Sequence, residues 1–171
     1  DGGGGLGAQG IIVITYTPLP TYEQSGYRWF ENNNATSVGA TLTAAQNAST
    51  TVATDFRLRM LLHVGTNTSS PALNTFKLQV ATSTPGGCDS SYSGETYIDV
   101  SASTGNIRFK DNPAPADGAL LSSSGDDPTH NGDSIVNQTY EEANNFTVTS
   151  TISPGADGKW DFALTNNAAL E

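Results

Sequence analysis

Apolar and polar residues alternate along much of the chain, and this alternation predicts β-strands rather than helices. The segment Phe56–Val64 alternates most strictly. Because successive side chains of a strand point to opposite faces, one parity of this segment is predicted to enter a core and the other to face solvent. The predicted inward residues are Phe56, Leu58, Met60, Leu62 and Val64, and the predicted outward residues are Arg57, Arg59, Leu61 and His63.

Short runs of β-branched, aromatic and other apolar residues predict further strands, and clusters of Gly, Pro, Asn, Asp and Ser between them predict turns. Only Tyr140–Asn144 is helix-like, and it is at most one turn. About nine or ten short strands joined by polar turns predict an all-β fold, an antiparallel β-sandwich or jelly-roll-like single domain. The additional predicted strands are Tyr27–Phe30, Ala40–Ala45, Phe76–Val80, Tyr97–Val100, Ile107–Lys110, Ile135–Tyr140, Phe146–Ile152 and Trp160–Leu164.

The beginning of the chain differs from the rest. Residues 1–20 are predicted to form a glycine-rich arm and a strand, and residues 21–171 to form the β-sandwich domain. Five of the first seven residues are Gly, the residue that loses most backbone freedom on ordering. The following run is apolar on both faces and ends at Pro18, so it favours a strand that is covered on both sides. This candidate donor strand comprises Ile11, Ile12, Val13, Ile14, Thr15, Tyr16 and Thr17.

The charge balance excludes two classes of partner. The 171 residues include 7 Lys and Arg against 17 Asp and Glu, a formal net charge of −10. Nucleic acids and anionic membrane surfaces attract clustered Lys and Arg, so neither is predicted to bind this chain. No apolar run approaches the roughly 18 residues of a membrane-spanning helix, so membrane insertion is not predicted either. Charged residues make up only 14% of the chain, and 39 residues are Ser or Thr, which favours an extracellular location.

An acidic loop at Gly125–Asp133 is the main candidate for a metal site. It places Asp126, Asp127, Asn131 and Asp133 within nine residues. Calcium takes about six to eight oxygen ligands, and carboxylates and carbonyls are its usual donors. Calcium is therefore the candidate cofactor, with a solvated turn of the same residue types as the alternative interpretation.

Other chemistry has weaker support. Asp157–Asp161 is a second calcium candidate, although its Asp-Gly pair is foremost a hairpin turn. The only histidines are His63 and His130 and the only cysteine is Cys88, too few for a typical zinc site. The chain has no Gly-x-Ser-x-Gly motif, and its acidic residues lie in hydrophilic turns rather than beside an aromatic-rich cleft. The chain is therefore predicted not to be an enzyme.

Two surface features remain. Trp29 and Trp160 either form exposed platforms for a carbohydrate or pack in the core, and packing in the core is favoured. Five Asn-x-Ser/Thr sequons are candidate N-glycosylation sites, although the abundance of Asn, Ser and Thr explains part of this number. The sequon residues are Asn34, Asn47, Asn67, Asn137 and Asn145.

Two parts of the sequence resemble proteins of bacterial surfaces. Gly7–Pro18, with the sequence GAQGIIVITYTP, resembles a glycine-rich strand element of bacterial and phage surface proteins. Most of residues 24–165 resembles a β module of large uncharacterised bacterial surface proteins, through YRWFEN, FRLR, FKLQ, VNQTYEEANNF and GKWDF. The resemblance implies an extracellular β domain without assigned activity. Such modules continue into a further strand of Tyr-Cys-Phe-Arg type that this sequence lacks, so the resemblance implies a partner for Cys88 in that strand.

Two functions follow as hypotheses. The first is a non-enzymatic extracellular structural subunit, whose copies assemble into a filament or surface layer when Ile11–Thr17 of one copy pairs with a sheet of the next. The second is a carbohydrate-binding module of a larger cell-surface adhesin, with calcium ordering its loops.

Overall fold

The computed structural model describes residues 18–51, 54–81 and 95–167. These residues form nine β-strands and no helix, so the all-β prediction is confirmed. The predicted donor strand Ile11–Thr17 and Cys88 lie outside the described residues. The strands are β1 (Tyr22–Glu31), β2 (Asp55–Val64), β3 (Thr75–Phe76), β4 (Gln79–Val80), β5 (Ile98–Asp99), β6 (Ile107–Phe109), β7 (Ile135–Glu141), β8 (Phe146–Thr147) and β9 (Ala156–Asn166).

The last strand is the centre of the main sheet. β2 pairs with β1 on one side and with β9 on the other, in antiparallel register that places Met60 opposite Trp160. Both β6 and β7 pair along the remaining edge of β9. β6 is antiparallel to β9, whereas β7 is parallel to it, so the sheet is not purely antiparallel.

One face of this sheet, here called the apolar face, carries the core. Phe56, Trp160 and Phe162 are at most 1% exposed there. The short strands β3, β4, β5 and β8 form a second layer over this face, and Leu78 and Phe146 belong to the same buried cluster. The inward parity predicted for Phe56–Val64 is therefore confirmed, although Met60 and Leu62 are only partly buried.

The opposite face, here called the polar face, corrects the prediction that its residues face solvent. Arg57, Arg59 and Leu61 are all 0% exposed, and only His63 is partly accessible. The connections between strands cover this face: Arg59 contacts Asp127, for example. The alternation of apolar residues predicts only where apolar side chains are buried. It cannot predict the burial of charged side chains, which depends on an oppositely charged partner elsewhere in the chain.

Several predicted elements differ in extent or type. Tyr140–Asn144 is not helical, because its first two residues end β7. Ala40–Ala45 contributes only an isolated bridge between Thr41 and Phe30. The predicted strand Phe146–Ile152 is regular only over β8.

The predicted Asp157-Gly158 hairpin turn is wrong, since β9 begins at Ala156 and the preceding Gly155 has the positive φ of 77°. Gly158 is needed within the strand for packing: a Cβ there would lie 2.5 Å from Ile152 and 2.6 Å from the Trp160 ring.

Candidate functional site

The polar face contains a buried network of charged side chains on β2 and β9. Arg57 Nε donates to Asp161 Oδ1 and Arg59 Nε donates to Asp161 Oδ2, each at 2.8 Å. All three side chains are fully buried. Arg59 and Lys159 also form ion pairs with Asp127. Buried charges persist only when they are paired and hydrogen-bonded, so this network is what allows a charged strand face to be covered.

Connections between strands complete the partners of the two arginines. Arg57 Nη1 donates to the carbonyl oxygen of Ala35 at 3.2 Å, and Arg59 Nη2 donates to that of Thr36 at 2.8 Å. The Arg57 guanidinium also lies over the ring of Tyr140, 4.3 Å from its centroid, in cation–π geometry. Both arginines are thus fixed in the fold rather than presented at the surface.

Burial and charge oppose each other at Asp127. Burial alone would raise the pKa of its carboxyl, but hydrogen bonds from Lys159 and the Ser124 amide, with the charge of Arg59, hold that pKa below its ordinary value. Burial lowers the pKa of Lys159, and the contact with Asp127 counteracts this shift. Asp127 is therefore an ionised partner of two cations.

The four residues predicted to bind calcium are distributed over different contacts. Asp126 points outward, with 62% of its side chain exposed, and pairs with Arg28 at 3.5 Å. Asp127 points inward to its two cations. Asn131 has a left-handed backbone, with φ of 45°, and is exposed. Asp133 belongs to a separate cluster described next, so the structure does not bring the four together, and their binding of calcium stays a prediction.

Two histidines and two aspartates converge at one end of the polar face. His63 Nδ1 lies 3.4 Å from Asp133 Oδ2, and His130 Nδ1 lies 3.1 Å from the same oxygen. Asp157 is 3.4 Å from His130 Nδ1 through Oδ2 and 3.7 Å from His63 Nδ1 through Oδ1. One ligand atom from each residue lies within 4.8 Å of the others. This histidine–aspartate cluster is the arrangement that could hold a metal ion.

The sheet and one loop build this cluster. His63 on β2 pairs directly with Asp157 on β9, so both side chains leave the same face of the sheet. His130 and Asp133 come from the loop before β7, which is fixed to the sheet by a 2.9 Å hydrogen bond from the Asp157 amide to the Ser134 carbonyl oxygen. The prediction of too few residues for a typical zinc site counted only His and Cys, and the fold adds two carboxylates to the two imidazoles.

Sequence reasoning missed this convergence for a specific reason. It recognised His130 and Asp133 in the acidic loop, placed His63 on a solvent face and placed Asp157 in a turn. Only the pairing of β2 with β9, two segments far apart in the chain, brings His63 and Asp157 together. The available signal was the position of His130 within the acidic loop and of His63 at the outward parity of Phe56–Val64.

The apolar face contains a second feature, a groove of about 420 Å³ between the main sheet and the second layer. Tyr27, Trp29 and Met60 line one side, and Leu78 and Val80 line the other. A smaller space of about 200 Å³ continues it toward the core and shares Trp29, Leu78 and Val80. We call these two spaces together the apolar groove.

The edge of β1 adjoins this groove. The segment after β1 covers part of that edge, with hydrogen bonds from the Leu42 amide to the Trp29 carbonyl oxygen and from the Asn47 amide to the Tyr27 carbonyl oxygen. Among the described residues, no comparable backbone hydrogen bond reaches the edge away from β2 at Glu23–Gly26. Strand backbone that is unpaired in this way can accept a further strand.

The tryptophans differ from carbohydrate-binding platforms. Trp160 is 1% exposed. Trp29 is half-buried, packs against Phe56 with ring centroids 5.6 Å apart, and donates its indole hydrogen to the Ala48 carbonyl oxygen. The Trp160 ring is therefore closed to a ligand, whereas the Trp29 ring lines the apolar groove and is partly covered by Phe56.

The predicted glycosylation sites fall into two groups. Asn34, Asn47, Asn67 and Asn145 are exposed. Asn137 is half-buried in β7, and its amide nitrogen donates to the Leu121 carbonyl oxygen and to Ser123 Oγ. A glycan on Asn137 would break both contacts, and one on Asn67 would break the 3.4 Å hydrogen bond to the Leu19 carbonyl oxygen, so the geometry favours Asn34, Asn47 and Asn145.

Comparisons with known proteins give no family or relative for this chain. No protein-family model, no curated protein and no solved structure matches it. The resemblance to bacterial surface modules therefore stays a prediction. In the described ranges, no helix has the length and apolar character needed to cross a membrane.

Proposed function

We propose that this chain is a non-enzymatic extracellular structural subunit whose copies assemble by donor-strand exchange. The strand Ile11–Thr17 of one copy enters the apolar groove of the next, and the second layer of short strands is one sheet of a β-sandwich or jelly-roll-like fold. The observation that carries this proposal is the apolar groove beside the edge of β1 at Glu23–Gly26.

The donor strand matches the groove in chemistry and length. Seven residues extend about 23 Å at roughly 3.3 Å per residue, and the β1 segment Gln24–Trp29 that lines the groove extends about 20 Å on the same basis. Burying each of the large apolar side chains of Ile11–Thr17 is worth about 1.5–3 kcal/mol. Pairing would also satisfy the backbone donors and acceptors of both strand edges.

The direction of exchange determines the assembly. A donor strand at one end of a subunit and an acceptor groove elsewhere on it form a heterologous contact, which continues from copy to copy instead of closing a dimer. The arm of about ten residues before Ile11 spans up to about 33 Å, long enough to bridge adjacent copies. The low fraction of charged residues and the abundance of Ser and Thr suit a coat that is exposed outside the cell.

Removal of residues 1–17 tests the proposal. Light scattering and electron microscopy should show filaments or extended oligomers for the full chain and a monomer for the truncated chain. A synthetic peptide of residues 11–17 should bind the truncated chain with one site per molecule. Filaments formed by the truncated chain, or a full chain that stays monomeric at all concentrations, would overturn the proposal.

Two matched variants locate the acceptor. Met60→Glu introduces a charge into the groove at a partly buried position, and it should weaken peptide binding at least tenfold, or about 1.4 kcal/mol. Leu120→Glu makes the same kind of change at a side chain that is 61% exposed and outside the groove, and it should leave binding unchanged. Equal effects of the two variants would show that the peptide does not occupy the apolar groove.

A further inference from the structure

We propose that His63, His130, Asp133 and Asp157 bind one zinc ion, which fixes the acidic loop to the central strands of the sheet. This site is independent of the proposed assembly, because it lies on the polar face and the groove lies on the apolar face. It shares Asp133 with the calcium site predicted in the acidic loop, but its other ligands are the two histidines and Asp157.

Three distances in the cluster are close to the edges of a tetrahedral zinc site. Zinc binds imidazole nitrogen and carboxylate oxygen at about 2.0–2.2 Å, and the edge of such a tetrahedron is about 3.3–3.6 Å. With one oxygen taken from each aspartate, three nitrogen–oxygen distances in the cluster are 3.1, 3.4 and 3.4 Å. The fourth contact, 3.7 Å from His63 Nδ1, goes to the other oxygen of Asp157. Charge-assisted hydrogen bonds between an imidazolium and a carboxylate are shorter, about 2.7–2.9 Å, so direct ion pairing explains these distances less well.

Of the nine buried side-chain atoms without a hydrogen-bond partner among the described residues, three belong to this cluster: His63 Nδ1, His130 Nδ1 and Asp157 Oδ2. The Asp157 side chain is 0% exposed, so its unpartnered oxygen is costly unless a cation contacts it. A single ion between the four residues would satisfy all three atoms.

Neighbouring groups hold the ligands in place, as in established metal sites. Ser25 Oγ donates to Asp157 Oδ1, which leaves Oδ2 directed toward His130. The Asn131 amide lies 2.9 Å from His130 Nε2, so the outer ring nitrogen has its own partner while Nδ1 faces the cluster. Four protein ligands without an open position are typical of a structural zinc site rather than a catalytic one.

The ligand chemistry distinguishes zinc from calcium. Calcium takes about six to eight oxygen ligands, whereas the cluster offers two nitrogens and two carboxylates. Imidazole nitrogen is a normal ligand of zinc and other transition metals.

Metal titration of the untagged, chelator-treated chain tests the site. Calorimetry should show one Zn²⁺ per chain and no binding of Ca²⁺ at the same concentration. Co²⁺ should give the intense visible absorption of a tetrahedral complex. The proposal is wrong if the chain does not bind Zn²⁺, or if it binds Ca²⁺ as strongly as it binds Zn²⁺.

Substitutions assign the ligands, with circular dichroism confirming that each variant is folded. His130→Ala and Asp133→Asn should each weaken Zn²⁺ binding more than about 100-fold, because loss of an outer-shell partner alone costs about 10–100-fold. Ser25→Ala should weaken Zn²⁺ binding by about 10–100-fold, because Ser25 only orients a ligand. Asp126→Asn, in the same loop but outside the cluster, should bind Zn²⁺ like the unaltered chain. Unaltered Zn²⁺ affinity in both ligand variants would exclude this site.

Discussion

Replacing Asp161 by Asn would test whether paired charge is what keeps the polar face buried. Asn has nearly the same shape as Asp but no charge, so Arg57 and Arg59 would lose the carboxylate that each contacts at 2.8 Å. All three side chains are fully buried, so water cannot replace that carboxylate without opening the structure.

The expected cost follows from the remaining partners. Removing one member of a buried ion pair typically costs about 3–5 kcal/mol. Arg59 keeps its contact with Asp127, and Arg57 keeps the Ala35 carbonyl and the Tyr140 ring, so the lower end applies. We expect Asp161→Asn to reduce the free energy of unfolding by about 3 kcal/mol, which lowers the melting temperature by about 6–12 °C at this size.

The control is Asp99→Asn, which removes the same charge from the Lys77–Asp99 pair, whose side chains are 51% and 43% exposed. Exposed pairs contribute about 0–1 kcal/mol, so this variant should unfold almost like the unaltered chain. Urea denaturation followed by tryptophan fluorescence measures both variants under one set of conditions. If the free energies of unfolding of the two variants differ by less than about 1 kcal/mol, the charge of Asp161 is not what stabilises the buried network.

Burial raises the pKa of the Glu141 carboxyl to about 7, above its ordinary 4.5. The folded state therefore favours the protonated carboxyl more than the unfolded state does. The stability that this difference provides is complete below about pH 4.5 and is lost as the pH rises through 7. Glu141→Gln should therefore gain stability relative to the unaltered chain between pH 5 and 8, by about 1–2 kcal/mol in parallel urea titrations, and a pH-independent difference would contradict this. Gly158→Ala should destabilise the fold by about 1–3 kcal/mol in the same assay, because its methyl group overlaps the Trp160 ring; a neutral result would show that the ring moves freely. Phe162→Ala, at 0% exposure, should cost about 3–5 kcal/mol, and Met60→Ala, which is only partly buried, should cost clearly less, so equal costs would contradict the assigned burial.

The sequence predicted the strands better than their surroundings. The alternation in Phe56–Val64 identified β2 and its inward parity, because apolar burial leaves a period of two in the sequence. Its other parity was predicted to face solvent and is instead buried, because Arg57 and Arg59 are neutralised by Asp161, a residue far away in the chain. No local pattern records such a pairing.

The candidate metal site shows the same limit. Residue types in the acidic loop indicated a cation, but the carboxylates of Asp126 and Asp127 turned out to contact basic side chains. The cluster that fits a metal ion depends on the register that places His63 opposite Asp157. Register between distant strands is determined by the whole core, so reading either segment alone could not establish it.

The central position of β9 also has a consequence for how the chain folds during synthesis. Roughly 90 residues separate Val64 from Ala156, and at about 5–20 residues per second a ribosome needs about 5–20 s to supply them. During that interval β2 has no β9 to pair with, and β6 and β7 emerge before the strand they flank. Contacts between segments so distant in sequence form slowly, typically in milliseconds to seconds for β proteins. The nascent chain must therefore stay unaggregated with β2 half-paired until β9 emerges.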